Sequence, residues 1–349
     1  MKVLVTGAGG LIGSESVKFY LNKGAEVIGI DNNMRKYFFG DDGDISQNLN
    51  SLKNKNFKNY KLDARNRDRV ENFFKKKGPF NILINTLAQC SHDWSYKEPY
   101  TDHDTNDNAT FNILESYRKF SPDASFIHYS TSKAYGDRPN KVNILELPTR
   151  YDYAPEQTMV GVSEQGITEE FSIDNSIHSL FGVSKLAGDL AAQEYGKNFG
   201  LNVGIFRGDC LTGHQHAAVE LHGFLAYLVH CAKTGKPYKV FGYERKQVRG
   251  NIHAIDCVLA NAEFIEHPRP GEVYNLGGGK ENSISMMEAM DLLENKYDLK
   301  LNWTYEEKPR RGDHICFYSD ISKLKRDFPK FKITMPINKI MDDLVEQKT

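Results

Sequence analysis

The first 31 residues constrain the fold more than any other stretch. Lys2 to Thr6 is a short β-rich apolar run, Gly7-Ala8-Gly9-Gly10-Leu11-Ile12-Gly13 follows, and Ser14 to Lys23 has a helical pattern. Gly24-Ala25-Glu26 turns the chain into a second apolar strand, Val27 to Ile30, which ends on Asp31. Strand, glycine turn, helix, strand and acid in this order suit a dinucleotide. One glycine permits the tight turn, one lets backbone N–H groups approach a pyrophosphate, and one allows close packing of helix on strand. The helix N-terminus then presents partial positive charge to the phosphates. Gly7, Gly10, Leu11, Ile12 and Gly13 are the expected contacts, although the spacing Gly7-x-x-Gly10-x-x-Gly13 differs by one residue from the commoner fingerprint. Asp31, 18 residues after Gly13, can accept hydrogen bonds from a ribose diol, with Asn32 beside it. Its charge would repel a 2′-phosphate, so NAD is expected over NADP; Arg35 pulls against that preference.

The alternation continues. Leu62-Asp63 follows a third strand, where Asp63 either meets an adenine amino group or caps the next helix. Arg65 to Lys77 reads as that helix, and Phe80 to Asn85 as a buried strand. Leu87-Ala88-Gln89 closes this fourth strand beside the expected nicotinamide half. Asn106 to Lys119 is helical and Ser125 to Tyr129 is a fifth strand. Pro139 to Ser176 is a long, irregular, acidic loop of the kind that forms a lid or substrate wall. A helix reaching Phe199 and a sixth strand, Asn202 to Phe206, complete the pattern. The expectation is an α/β fold: a doubly wound parallel (Rossmann) sheet over 1–206, to which segments near 250–260 return. A smaller C-terminal α+β substrate lobe over 207–349 is expected, with helices at Gly223 to Lys233, Asp256 to Glu266 and Met286 to Tyr297 and a β-like Tyr238 to Phe241.

A formal net charge of -1 over 349 residues gives no bulk argument for nucleic-acid or membrane binding. The Lys-rich stretches Lys53 to Lys61 and Lys75-Lys76-Lys77 read as solvated faces. Five cysteines, odd in number and without metal-ligand spacing, read as reduced thiols, with no metal and a cytoplasmic location expected. The strand pattern starts at Lys2, leaving no room for a signal peptide, and no apolar run approaches the length of a membrane span.

These motifs, with Asn106, Ser130-Thr131, Tyr135-Gly136, the helix bearing Lys185, and Asn275-Leu276-Gly277-Gly278, resemble the extended short-chain dehydrogenase/reductase superfamily over nearly the whole chain. Gln89 to Asp93, Ser132 to Asp137, His178-Ser179, Val219 to Phe224, Lys246 to Arg249 and Arg311 to His314 narrow the resemblance to nucleotide-sugar 2-epimerases acting on CDP-paratose and CDP-tyvelose. The resemblance implies roles. Thr131 would hydrogen-bond the reacting sugar oxygen and Lys185 would bind the nicotinamide ribose. Asn106 would prop the active-site helix, often through water. Arg249 and Arg311 would grip the substrate diphosphate, which suits a bidentate guanidinium; a surface ion pair is the plain alternative. Ser132, Arg207, Glu220, His222 and Gln247 complete the implied substrate contacts, and a homodimer or homotetramer is implied. Asn275 to Gly279 reads as a structural turn near the substrate. The implied chemistry is transient oxidation of a nucleotide sugar, a CDP-sugar first, with return of the same hydride to the other face.

Three features depart from the family pattern. Phe181 stands one helical turn before Lys185, where the family carries a tyrosine phenol that moves the proton. It could be an introduced trap, a natural branch with another proton carrier, or loss of catalysis. Candidate carriers are Cys90, His92, Asp93, Tyr129, Tyr135, Glu220 and His222, with His92 first because it follows the fourth strand's carboxyl end. Gly250 replaces an acid that usually fixes the preceding arginine. Asp209-Cys210 is expected on the sugar-facing side, as a sign of a different sugar. The paired acids that 4,6-dehydratases carry after the threonine are replaced by Ser132-Lys133, which argues against dehydration. A 4-epimerase, a decarboxylase or a silent binding protein remain alternatives.

Overall fold

A computed structural model describes residues 1–346 except 218 and 221, so Leu221 of the Val219 to Phe224 motif lies outside the described residues. The chain forms two compact units. The first comprises Met1–Thr131, Leu180–Arg207 and Cys257–Tyr274; the second comprises Ser132–Ser179, Gly208–Asp256 and the chain from Asn275 onward. This differs from a division at 206/207. The segment Ser132–Ser179 belongs to the second unit, and the segment returning to the first is Cys257–Tyr274.

The first unit is built on a seven-stranded sheet: β1 (Lys2–Thr6), β2 (Glu26–Ile30), β3 (Phe57–Tyr60), β4 (Ile82–Asn85), β5 (Ser125–Thr131), β6 (Val203–Gly208) and β7 (Glu272–Leu276). Their order is β7-β6-β5-β4-β1-β2-β3, and the sheet is parallel. The chain winds outward from β1 in both directions, which makes the carboxyl ends of β1 and β4 the switch point where ligands bind in such sheets. Burial explains the strand sequences: Val3-Leu4-Val5, Ile82-Leu83-Ile84 and Phe126-Ile127 are almost wholly inaccessible, as expected for strands covered on both faces. The helix Arg67–Lys77 buries Val70, Phe73 and Phe74, one stripe at helical spacing. Its N-cap is Asn66, whose side chain accepts the Arg69 N–H. The N-cap alternative for Asp63 is therefore not taken: Asp63 accepts the Arg65 N–H and pairs with its guanidinium at 2.7 Å.

The second unit holds a four-stranded sheet, Cys210–Thr212, Val248–His253, Ser283–Ser285 and Cys316–Phe317. The loop expected to be irregular contains two antiparallel pairs, Ile144–Glu146 with Tyr151–Tyr153 and Val162–Ser163 with Gly166–Ile167. They are too short to give a readable alternation. The helix Met286–Tyr297 starts with a capping box between Ser285 and Glu288, a local signal that makes its limits legible.

One buried charge cluster ties the helix Leu180–Lys197 to β5 and β6. Asp189, fully buried, accepts from Arg207 Nε (2.9 Å) and Nη2 (3.1 Å), Ser130 Oγ (2.6 Å) and Gln193 Nε2 (2.7 Å). Burial alone would raise its carboxyl pKa; the Arg207 charge and these hydrogen bonds outweigh it and hold the pKa below the ordinary value. Because the folded value is depressed, the contribution is complete above the unfolded carboxyl pKa of about 3.9 and is lost as pH falls through the folded value. Asp189→Ala, which strands a buried guanidinium, is expected to cost about 3–5 kcal/mol in urea unfolding near neutral pH. An Asp189→Leu, Arg207→Met pair is expected to cost far less, and equal losses would contradict this account.

Candidate active site

The dinucleotide half lies wholly in the first unit. Gly7 has φ +70, in the left-handed region, and Gly10 N–H closes the turn on Gly7 O at 3.0 Å. A Cβ on Gly13 would lie 2.0 Å from Gly7 O, so only glycine allows the helix Leu11–Asn22 to sit this close. That helix starts at Gly10 without a side-chain cap. Its first N–H groups, which Leu11, Ile12 and Gly13 supply, are suited to an anion. Asp31 follows β2; its Oδ2 accepts Gly9 N–H (2.9 Å) and its Oδ1 accepts Asn33 N–H (2.8 Å). Burial raises the Asp31 carboxyl, and these two N–H groups oppose the rise. Asn32 Oδ1 accepts Met34 N–H at 3.2 Å. The Arg35 guanidinium donates to Cys90 Sγ at 3.3 Å and lies 4.9 Å from the Phe39 ring. An uncapped helix start over a turn closed to side chains, with a carboxylate at the next strand end, fits a dinucleotide. Leu87 and Ala88 are half-buried after β4, and Gln89 is fully buried.

The reactive corner is also in this unit. Thr131 ends β5 and is half-buried. Phe181 and Lys185 are both buried in the helix Leu180–Lys197. Lys185 Nζ donates to Tyr129 O at 2.6 Å, and burial pushes its ammonium down to about 8. The His92 ring packs edge-on against Phe181, centroids 5.1 Å apart at 72°. Tyr129 points its hydroxyl into the core at Asn261 Oδ1 (3.0 Å), and burial drives its phenol well above the ordinary range. Tyr135, in the second unit, donates to Asn275 Oδ1 at 2.8 Å and is wholly inaccessible. Burial also raises the Cys90 thiol. These three expected candidates are thus poorly placed to shuttle a proton.

Asp102 and Ser184 were not among the expected site residues. Asp102 is 1% exposed. Its carboxylate accepts from Ser184 Oγ (2.6 Å), Gln89 Nε2 (2.5 Å) and Asn106 Nδ2 (3.2 Å). Asn106 also donates to Ser184 Oγ (3.0 Å) and accepts Gln89 N–H (2.8 Å). A π-helical turn at Asp104–Asn108 carries Asn106, a distortion common at functional sites. The signals were present: Asp102 precedes Asn106 by one helical turn and Ser184 adjoins Lys185.

In the second unit, Ser132 begins a 3-10 turn to Tyr135 and is buried. His178 donates to Ala134 O at 2.8 Å and so ties the chain before the helix to this turn. His314 Nε2–H donates to Gly136 O (2.7 Å), leaving Nδ1 to accept from Lys133 Nζ (3.3 Å). Burial pushes Lys133 down to about 8. Arg249 pairs with Asp313 and donates to Val248 O at 2.7 Å. A Cβ on Gly250 would lie 2.4 Å from Asp209 Oδ2. Asp209 is itself a support, accepting Ser319 N–H at 3.0 Å, with its carboxyl raised to about 7 by burial. Gln247 is buried and its Oε1 has no hydrogen-bond partner. Glu220 and Arg311 are exposed, and His222 Nδ1 meets His216 Nε2 at 3.2 Å. The neighbouring Arg310, which was not expected, lies 5.8 Å from the Phe241 ring and helps hold Asp313 ionised. Arg207 is corrected: expected on the substrate, it is buried with its guanidinium committed to Asp189.

Among the described residues, His214, His253 and Asp343 have metal-ligand spacing. Ile255 N–H donates to His253 Nδ1 (3.2 Å), which puts that neutral ring's proton on Nε2, facing Asp343 Oδ2 at 3.1 Å. The group therefore reads as a hydrogen-bonded clamp on the helix Ile337–Glu346.

Fold and glycine turn define an NAD-binding α/β enzyme of the extended short-chain dehydrogenase/reductase type. The pattern of the NAD dependent epimerase/dehydratase family matches residues 3–277, and the chain belongs to that family. It is 31% identical to CDP-paratose 2-epimerase of Salmonella typhi, over 93% of this chain and 92% of that one. It is 26% identical to a putative UDP-glucose 4-epimerase of Methanocaldococcus jannaschii, over 92% and 90%. Among solved structures, UDP-glucuronic acid 4-epimerase of Bacillus cereus, in complex with UDP-glucuronic acid and NAD, is similar in fold at TM-score 0.78 and 23% identity, covering 99% of this chain and 98% of that one. UDP-glucose 4-epimerase of Thermus thermophilus, in complex with NAD, gives 0.78 at 20% identity, with coverage of 99% and 98%. No helix among the described residues is long and apolar enough to cross a membrane.

Replacing Asp102 by Asn tests the network. Three donors converge on the carboxylate, so an amide NH₂ there must face another donor. Asp102→Asn is expected to lose about 1–3 kcal/mol of stability, read as a lower thermal midpoint, together with weaker NAD affinity. Unchanged values would remove Asp102 from the site.

Proposed function

We propose that the chain epimerises a nucleotide sugar at C2 by transient oxidation, with a CDP-hexose or CDP-deoxyhexose as substrate. The observation that carries this reading is the 31% identity with a CDP-paratose 2-epimerase over 93% of the chain. NAD supplies a hydride acceptor that gives the same hydride back. The chain's own residues divide the remaining work. Gly7, Gly10, Leu11, Ile12, Gly13 and Asp31 bind the dinucleotide, with Asn32, Asp63, Leu87, Ala88 and Gln89 along it. Lys185 orients the nicotinamide ribose and supplies positive charge, and Thr131 hydrogen-bonds the reacting oxygen. In the second unit Arg249, Arg311, Gln247, Ser132, Glu220 and His222 hold the sugar nucleotide. The orphaned Gln247 Oε1 supports this, because a buried acceptor without a partner costs stability unless a ligand donates to it. Incubation with CDP-, UDP-, GDP- and dTDP-sugars in deuterated water, read by NMR, is expected to give a C2 epimer of a CDP-sugar without carbon-bound deuterium. Deuterium on carbon, or turnover at C4 alone, would contradict the reading.

Phe181 favours a second reading, a silent protein that binds NAD and nucleotide sugar. Tight binding of the sugar nucleotide with no turnover by wild type would support it.

Assembly is proposed as a homodimer, or a homotetramer built from it, through the helices Ala109–Phe120 and Leu180–Lys197. Phe111, Val183, Leu190 and Phe199 support this, standing 49%, 48%, 44% and 56% exposed on or beside these helices. Leu190→Glu is expected to halve the mass seen by light scattering while NAD binding persists. An unchanged mass would place the interface elsewhere.

A further inference from the structure

We propose that His92 carries the proton that Phe181 cannot. The inference rests on the epimerase reading above and names its acid–base group. The geometry begins with the ring contact: the imidazole lies against the phenyl edge-on, centroids 5.1 Å apart. It is the titratable ring in contact with the phenol position. His92 is half-buried, whereas Phe181 is sealed at 7% exposure.

The position of His92 is set by the same carboxylate that sets the site helix. Gln89 Nε2 donates to Asp102 Oδ1 and to Ser91 O, and Gln89 Oε1 accepts Ser91 N–H. One side-chain amide thus clamps both backbone groups of Ser91. Ser91 Oγ in turn accepts the Trp94 N–H, starting the helix His92–Lys97. On its other oxygen, Asp102 takes the hydroxyl of Ser184, three residues after Phe181. His92 and Phe181 are therefore both tied to Asp102, which fixes one relative to the other as acid–base catalysis requires.

Three other polar groups near the phenol position point elsewhere. Tyr129 gives its hydroxyl to Asn261, Cys90 takes a hydrogen bond from Arg35, and Lys185 donates to Tyr129 O. An imidazole ordinarily changes charge near neutral pH, so it can take and return a proton in one cycle. In the balanced step the sugar O–H bond breaks and its proton bonds an imidazole nitrogen of His92. The O–H electron pair becomes the second bond of the ketone, and the C–H pair leaves as the hydride that NAD accepts. The return step reverses each transfer, so nothing is consumed.

The test uses the NAD-loaded protein and the sugar nucleotide the wild type epimerises. His92→Ala is expected to lower kcat about 10²–10⁴-fold, with KM and bound NAD little changed. Added imidazole should restore part of that rate, and a Phe181→Tyr change in the His92→Ala background should restore it through the phenol. Near-normal rates in His92→Ala, or a loss that neither imidazole nor the phenol repairs, overturn the proposal. A readout other than rate is the NMR spectrum of the His92 ring in the NAD-loaded wild type. Its signals are expected to move when the sugar nucleotide binds, and signals that stay unchanged overturn the proposal. A wild type inert on every sugar sinks the epimerase reading and this step with it; an active wild type indifferent to His92 sinks the proposal alone.

Discussion

A single inaccessible carboxylate, Asp102, organises the reactive corner. Taking an ion out of water is costly unless donors replace its hydration, and here Ser184, Gln89 and Asn106 do so. Burial still raises its pKa, against the effect of those hydrogen bonds. Each donor belongs to a different segment: the site helix, the loop after β4, and the π-helical turn. The carboxylate therefore works as a three-way joint. The π turn at Asp104–Asn108 carries Asn106, which serves both Ser184 and Gln89.

Two other buried carboxylates follow the same rule. Asp189 neutralises Arg207 within the first unit, and Asp313 neutralises Arg249 within the second. Lys185 is the exception that bears on chemistry. In the family pattern its ammonium lies one turn from a phenol that can become an anion. Here that position is a phenyl, the ammonium donates to a backbone carbonyl, and burial pushes it down to about 8. An ammonium in a dry pocket without a full counter-charge loses its proton more readily.

What the sequence made legible was local. Lys2 to Asp31 announces strand, turn, helix and strand because each element is fixed by neighbours a few residues away. The same holds for Met286–Tyr297, whose capping box lies at its own start. What stayed hidden depends on contacts between distant residues. Nothing near Arg207 says that Asp189 is its partner, so an arginine at a strand end looks available for a substrate. Nothing near Gly250 says that Asp313, 64 residues beyond Arg249, is that arginine's partner. The short strand pairs within Ser132–Ser179 gave no alternation to read, and their membership in the second unit depends on partners such as Tyr318, which bonds Asp152. Asp102 was half legible: its spacing from Asn106 could be read, but a lone Asp on a polar helix is usually solvated, and its burial could not.

Gly250 and Phe181 illustrate one principle from two sides. A site needs a charge or a proton carrier at a place in space, not at a place in the sequence. Arg249 pairs with Asp313, and position 250 must be glycine because Asp209 and Tyr318 fill the space a Cβ would take. Phe181 is buried and in ring contact with His92. A tyrosine there would carry a hydroxyl that needs a partner, and leaving it without one would cost about 1–3 kcal/mol. A phenyl avoids that cost and keeps the apolar wall against which an imidazole is held. On the proposal made above, position 181 supplies ring packing and the titratable group is its neighbour in space, His92.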